Sequence, residues 1–210
     1  MNTVATRPRT GEAKEALLEA AVAVIRTQGL HATSVDSLCA AAGVTKGAFF
    51  HHFRTKEDLG AAATLHWSDT TAAMFAAAGY HAHADPLDRV FAYLDLRRSL
   101  LGAEIWAFSC VAGTLAQETH ASHPGIRAAA GQAVRGGMDH VRAHLAEALL
   151  HHPVPGVDAD SLAQYVQVAV QGGIVLAKAL DDPAAAKAAF DHVERYLRLL
   201  FGRRAAPTQG

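Results

Sequence analysis

Residues 33–59 read TSVDSLCAAAGVTKGAFFHHFRTKEDL, which spells two short helices around a glycine turn and then the start of another helix. Val35, Leu38, Cys39 and Ala42 recur at i, i+3, i+4 and i+7, so one apolar stripe runs down the first helix and its opposite side faces water. Thr33 or Ser34 can cap that helix through a side-chain oxygen, with Asp36 in a capping-box-like position three residues after Thr33. Gly43 then supplies a turn in which the chain can take positive φ, and Thr45 can cap the next helix, residues 46–52. In that second helix Val44, Phe49 and Phe53 are the inward anchors, and Thr45, Lys46, Ala48, Phe50 and His52 lie outward. A helix of about two turns gains little from its own hydrogen bonds, so neighbours must hold it out for a purpose. Thr55 and Asp58 repeat the cap spacing at the head of a longer helix. Such a layout suits a helix that reads DNA.

Outward from this segment the chain reads as helix after helix. Alanine is abundant and strand-like alternation is absent, while Pro and Gly fall mostly between periodic segments. The pattern predicts an all-α chain with long helices over 56–78, 86–101, 103–119, 124–151, 158–180 and 183–201. Three of them open on proline, where the missing amide is harmless. The breaks are expected at 79–85, at Gly102, at 120–125 and at 152–157. The first six residues and the tail 203–210 are expected to be frayed or disordered.

From residue 13 to 65 the sequence resembles the N-terminal DNA-binding domain of TetR-type transcriptional repressors. The resemblance is carried by a first helix ending at Gly29, by Ala32-Thr33-Ser34-Val35, and by the turn Ala42-Gly43-Val44-Thr45-Lys46-Gly47. It continues through Phe49-Phe50-His51-His52-Phe53 and Lys56-Glu57-Asp58-Leu59. It implies a helix-turn-helix domain over 1–54 and a helical ligand-binding and dimerisation domain over 55–202. It also implies a DNA-contacting set of Thr33, Ser34, Thr45, Lys46, Gly47, Ala48, Phe50, His51, His52, Arg54 and Lys56. In this set Lys46, Arg54 and Lys56 would hold phosphates, whereas Thr45, Ala48 and His52 would face base edges. One departure is visible: Phe50 and His52 stand where the family usually has tyrosines. Phe50 cannot donate to a phosphate, and His52 does so better when protonated, so affinity is expected to be weaker or more pH-dependent than is typical.

Composition agrees with a DNA-binding mode that relies on placement. The chain has 210 residues, half of them apolar, and a formal net charge of −1, which excludes a general polyanion binder. Residues 1–60 carry seven Lys and Arg against six Asp and Glu, so attraction to DNA rests on Arg7, Arg9, Lys14, Lys46, Arg54 and Lys56 sharing a face. Neither a signal-like N-terminus nor an apolar run of membrane-spanning length is present, and a cytoplasmic protein without membrane partners is expected.

Two tasks are expected of the remainder. A short reading helix offers few base contacts, so a homodimer would present two of them to a palindromic double-stranded operator. The apolar strips Leu162, Val166, Val170, Gly173, Ala177 and Phe190, Val193, Leu197 are the expected dimer surface, and the family resemblance implies a four-helix bundle there. The alternative is that these strips pack within one subunit. The second task is binding a small organic effector in an apolar cavity. Its expected contacts are Trp67, Met74, Phe75, Phe91, Trp106, Phe108, Cys110, His140, Gln167 and Gln171, with Leu94, Val111, Leu115, Gln117, His120 and Tyr165 as further possibilities. The helix starting at residue 56 would transmit the effector's preference to the spacing of the two reading helices, about 34 Å on DNA.

Other chemistries find less support. The thirteen histidines include the pairs His51/His52, His81/His83, His120/His123 and His151/His152, of which only His120/His123 has a helical spacing, and that pair sits beside a proline turn. Cys39 and Cys110 are too far apart in sequence for metal-ligand spacing. A metal- or redox-responsive regulator of the same fold, through histidines or Cys110, is the alternative reading. No nucleophile elbow, phosphate-cradling loop or dinucleotide fingerprint points to an enzyme, and no cofactor or metal is expected.

Overall fold

The computed structural model describes residues 10–203, and all of its regular structure is helical. The helices are α1 (Thr10–Gln28), α2 (Val35–Ala42), α3 (Lys46–His52), α4 (Lys56–Ala76), α5 (Pro86–Ser99), α6 (Ile105–Phe108), α7 (Val111–Thr119), α8 (Pro124–His151), α9 (Ala159–Leu180) and α10 (Pro183–Leu200), with a 3₁₀ turn at Gly79–Ala82. Expectations for Arg7, Arg9, the first six residues and 204–210 lie outside the described residues. Among those described, no helix is long and apolar enough to cross a membrane. Two compact units emerge: one takes the chain up to Met74 together with Ser109–Arg135, the other takes Phe75–Phe108 together with the chain from Gly136 onward.

In the first unit, α1 buries Leu17, Leu18, Ala21 and Ile25 against Leu38 and Cys39 of α2, Phe49 of α3, Leu59 of α4 and Leu115 of α7. Gly29 ends α1 at φ 83°, a conformation that L side chains rarely adopt. A Cβ there would also collide with the Glu118 carboxylate, whose Oε2 accepts the Leu30 amide at 2.9 Å. The positive φ is what makes glycine the fitting residue at position 29. Helix α2 is capped by Ser34, and the reciprocal partner in its capping box is Ser37 rather than the expected Asp36. Its C-terminus closes on Gly43 in the left-handed region, as the sequence predicts.

The helix expected over 103–119 is instead two, α6 and α7, separated at Ser109 and Cys110. Cys110 takes an extended conformation and its sulfur caps α7 by accepting the Gly113 amide at 3.2 Å. The Ser109 carbonyl accepts Arg26 Nε at 2.9 Å, a bond that a continuous helix would not leave free. Periodicity carries no sign of a partner 83 residues away.

In the second unit, α5 and α10 open on proline with Asp85 and Asp182 as N-caps, and Asp158 caps α9. Helices α9 and α10 pack closely. A Cβ on Gly173 would lie 2.7 Å from Ala189 Cβ and 3.3 Å from Ala186 Cα, so the absence of a side chain sets that approach.

Candidate nucleic-acid interface

Seven residues make up α3, and Phe49 is its one buried side chain. Thr45 caps the N-terminus by accepting the Ala48 amide at 3.2 Å, and Phe53, itself buried, donates its amide back to Phe49 at the C-terminus. The Phe49 ring meets Phe50 edge-on at 5.1 Å and Phe53 at 6.1 Å between centroids. Val44 is half-buried against the same core. This anchor leaves Lys46, Gly47 and His51 exposed, Ala48 and His52 half-exposed, and Phe50 with 56% of its surface in water. Next to a DNA groove this ring would meet thymine methyls or sugars.

Charges around α3 are only partly available. Lys46 Nζ lies 2.7 Å from Asp36 of α2, both well exposed, and the hydrogen bond to that carboxylate raises the lysine's pKa. Salt screens such a pair. Arg54 is almost wholly exposed and lies 3.5 Å from Asp58. Ser34 is exposed, but its hydroxyl already accepts the Ser37 amide.

Two of the expected contact residues have other tasks. Thr33 is buried, and its hydroxyl donates inward to the Gly29 carbonyl at 2.6 Å, so it cannot reach a phosphate. Lys56 places its ammonium among the carbonyls of Leu30, His31 and Thr33, at 3.1, 3.3 and 2.9 Å. Those three acceptors belong to the loop between α1 and α2, and one ammonium has three donors to give. Lys56 therefore ties that loop to the head of α4. Replacing it by Ala should lower unfolding free energy by about 1–2 kcal/mol, seen as a reduced urea midpoint, while the salt dependence of DNA binding keeps its slope. A slope flattened by about one phosphate contact at unchanged stability would restore Lys56 to the phosphate-binding set.

The expected dimer strips also need correction. Leu162, Val166, Val170, Gly173, Ala177, Phe190, Val193 and Leu197 are all buried within the single chain, where they join α9 to α10 and the rest of the second unit. Another face of α9 carries exposed apolar residues, Tyr165, Val168, Val175 and Leu176 with Leu180 at the C-terminal end, and a Cβ on Gly172 among them would meet nothing within 4 Å. Tyr196 and Leu199 continue that face on α10, and the rings of Tyr165 and Tyr196 lie 4.9 Å apart. Sequence periodicity selects only the first of these stripes and cannot tell whether it faces the subunit or a partner. Burial does.

The expected effector contacts scatter. Trp67 packs on the core of the first unit, and Cys110 is buried there as a helix cap. Met74 and Trp106 are 43% and 45% exposed, Phe108, Gln167 and Gln171 are partly buried, and Phe91 is buried with the Arg198 guanidinium 4.3 Å from its ring centre. Leu94, Val111 and Leu115 are plain core, whereas Gln117, His120 and Tyr165 are exposed. Phe75 and His140 do come together, 5.9 Å apart between ring centres. Around them stand Tyr80, His81, Tyr93 and His144, of which the sequence reading names only His81, as half of the pair His81/His83. The signal was the i, i+4 spacing of His140 and His144 on α8, hidden among adjacent histidine pairs. Among the described residues no group of three or more His, Cys, Asp or Glu is placed to hold a metal ion. Burial raises the pKa of the Cys39 thiol, which disfavours the reactive thiolate.

Residues 17–63 match the family described as bacterial regulatory proteins, tetR family, and residues 86–197 match the transcriptional regulator LmrA/YxaF-like C-terminal domain. The transcriptional regulator AcuR of Cereibacter sphaeroides is 28% identical over 122 residues, covering 58% of this chain and 56% of AcuR. The HTH-type transcriptional regulator AcrR of Shigella flexneri is 37% identical over 54 residues, 26% of this chain and 25% of AcrR. The chain thus spans about half the length of the first of these curated relatives and a quarter of the second. Among solved structures, the regulatory protein TetR from Rhodobacter sphaeroides superposes with a TM-score of 0.78 at 24% identity, covering 88% of this chain and 98% of that one. A TetR transcriptional regulator from Chloroflexus aurantiacus does so at 0.76 and 26% identity, with 90% and 95% covered.

Proposed function

Since the chain belongs to the TetR family of DNA-binding transcriptional regulators, we propose that it is a repressor that binds a palindromic operator as a homodimer and is released by a small organic effector. The observation that carries this reading is α3 itself: capped at both ends, anchored by one buried phenylalanine, and otherwise turned to water. Ser34, Thr45, Lys46, Gly47, Ala48, Phe50, His51, His52 and Arg54 are the proposed DNA contacts, with Lys46 and Arg54 on phosphates and Ala48 and Phe50 against apolar base edges. Residues 1–54 form the proposed reading part and 55–202 the proposed effector and dimer part, acting in the cytoplasm where the DNA is.

Release follows from linkage. Helix α4 begins at Lys56, which holds the loop before α2, and reaches Phe75, which belongs to the second unit with the aromatic and histidine group. An effector that favours one disposition of α4 loosens DNA by its differential affinity for the two states, typically about 1–3 kcal/mol. Selection of bound fragments from genomic DNA tests the reading. The expected consensus is a pair of inverted half-sites about one helical turn apart, released by at least one compound in a small-molecule screen. No preference over random duplex at moderate salt, or a consensus without inverted symmetry, would overturn it.

A further inference from the structure

One corner of the second unit gathers three imidazoles, two phenols and two guanidinium groups, with a single carboxylate, Glu147, bonded to Arg89. Three elements supply it: Tyr80 and His81 from the 3₁₀ turn, Arg89, Tyr93 and Arg97 from α5, and His140, His144 and Glu147 from α8. The three imidazoles contact one another, with centroids 5.3 Å apart for His140 and His144, 5.5 Å for His81 and His144, and 6.4 Å for His81 and His140. Tyr80 shares a hydrogen bond with His140 Nε2, and His81 Nε2 bonds the Phe75 carbonyl at 3.0 Å.

Two features set this corner apart from ordinary packing. The Arg97 guanidinium lies 5.8–5.9 Å from the ring centres of Tyr93, Phe75 and Phe190 and donates to the Tyr93 hydroxyl at 3.0 Å. Among the described residues no carboxylate lies within ion-pair distance of it: Glu147 is taken by Arg89, while Asp95, Asp191 and Glu194 are taken by Arg98. Arg89 Nε is the second feature, a buried N–H with no acceptor. Buried donors of this kind are rare because each forfeits its hydration. The group therefore has cationic and N–H character in excess, beside aromatic surface.

We propose that this group is the receiving site for an organic monocarboxylate, with Arg97 holding the carboxylate, His140 and His144 donating N–H to it, and Phe75 and Tyr93 flanking its apolar part. The assignment rests on the reading that the second unit binds an effector, and names the effector's class. Binding is linked to protons. Burial first, then the neighbouring His81 and Arg97 for His140, and the neighbouring His140, His81 and Arg89 for His144, hold both imidazoles below their ordinary pKa, with Glu147 acting the other way on His144. A bound anion reverses that balance, so the site takes up protons from solvent and binds acids more tightly as pH falls through the histidine range.

The test uses acetate, butyrate, benzoate and phenylacetate, each paired with its primary amide, added to the full chain. Imidazole signals of His140 and His144, assigned through H140Q and H144Q, are titrated by nuclear magnetic resonance. Acids are expected to raise both midpoints and to bind more tightly at pH 6 than at pH 8, by up to about ten-fold per proton taken up and pH unit crossed. The amides should do neither. Arg97→Gln should weaken the acids by about ten- to hundred-fold. Equal binding of acids and amides, or no acid moving either histidine, overturns the site, and the wild-type titration decides this even if a variant fails to fold. Operator release is read separately. Acids that bind here without releasing DNA uphold the site and defeat the release reading, whereas an uncharged compound that releases DNA while no acid binds does the reverse.

Discussion

For the proposed homodimer, taken to join through the exposed face of α9 and α10, substituting Val168→Glu should yield a monomer with intact helical content and lower operator affinity by about 10²- to 10⁴-fold. The side chain is 63% exposed in the single chain, so a carboxylate there costs the fold little. In a two-fold dimer the same position meets its own symmetry mate or nearby apolar residues, so two carboxylates would enter a surface built from Tyr165, Val175, Leu176 and Leu199. Like charges in such a place cost several kcal/mol. Operator binding falls further because the second reading helix is no longer delivered at high local concentration, which is worth orders of magnitude with no change in either contact surface. Sedimentation, circular dichroism and operator titration check the three parts of the expectation. A variant that stays dimeric at full affinity would place the interface elsewhere. By contrast, substitutions in the inner strip, such as Val166 or Val193, should unfold the second unit, because those side chains are buried within the chain.

Phe49→Ala is expected to cost about 3–5 kcal/mol of stability, a large share of the 5–15 kcal/mol typical of a folded domain. The ring is fully buried against residues of α1, α2 and α4, and it is the only side chain through which α3 enters the core. Truncation leaves a cavity and removes the contacts with Phe50 and Phe53. A seven-residue helix cannot persist on its own hydrogen bonds, so α3 should fray before the rest of the first unit and operator binding should vanish with it. Phe49→Leu, which keeps most of the volume, is expected to recover most of both losses. Urea denaturation followed by circular dichroism measures the cost, and a value under about 1 kcal/mol would mean that α3 is held by something other than this ring.

What was legible beforehand followed short-range rules. Gly43, Thr45 and Thr55 mark helix ends because a left-handed residue and an amide-accepting hydroxyl act within three or four positions, and the structure has all three in those roles. The inward turn of Phe49 and Phe53 follows from periodicity alone. Errors begin where a partner is far along the chain. The break at Ser109 answers to Arg26, and Lys56 answers to carbonyls more than twenty positions earlier.

The amino-acid order by itself determined the helical class and the positions of caps and turns, because each depends on backbone preferences and neighbours within a turn or two, while the string that marks the reading helix was legible through its resemblance to a known family. Only tertiary packing decided which of two apolar stripes on α9 is consumed inside the subunit. It alone gave the Thr33 hydroxyl and the Lys56 ammonium acceptors within the chain and brought His81 beside His140 and His144. Burial and long-range hydrogen bonding are properties of where distant segments meet, and no local pattern encodes that meeting.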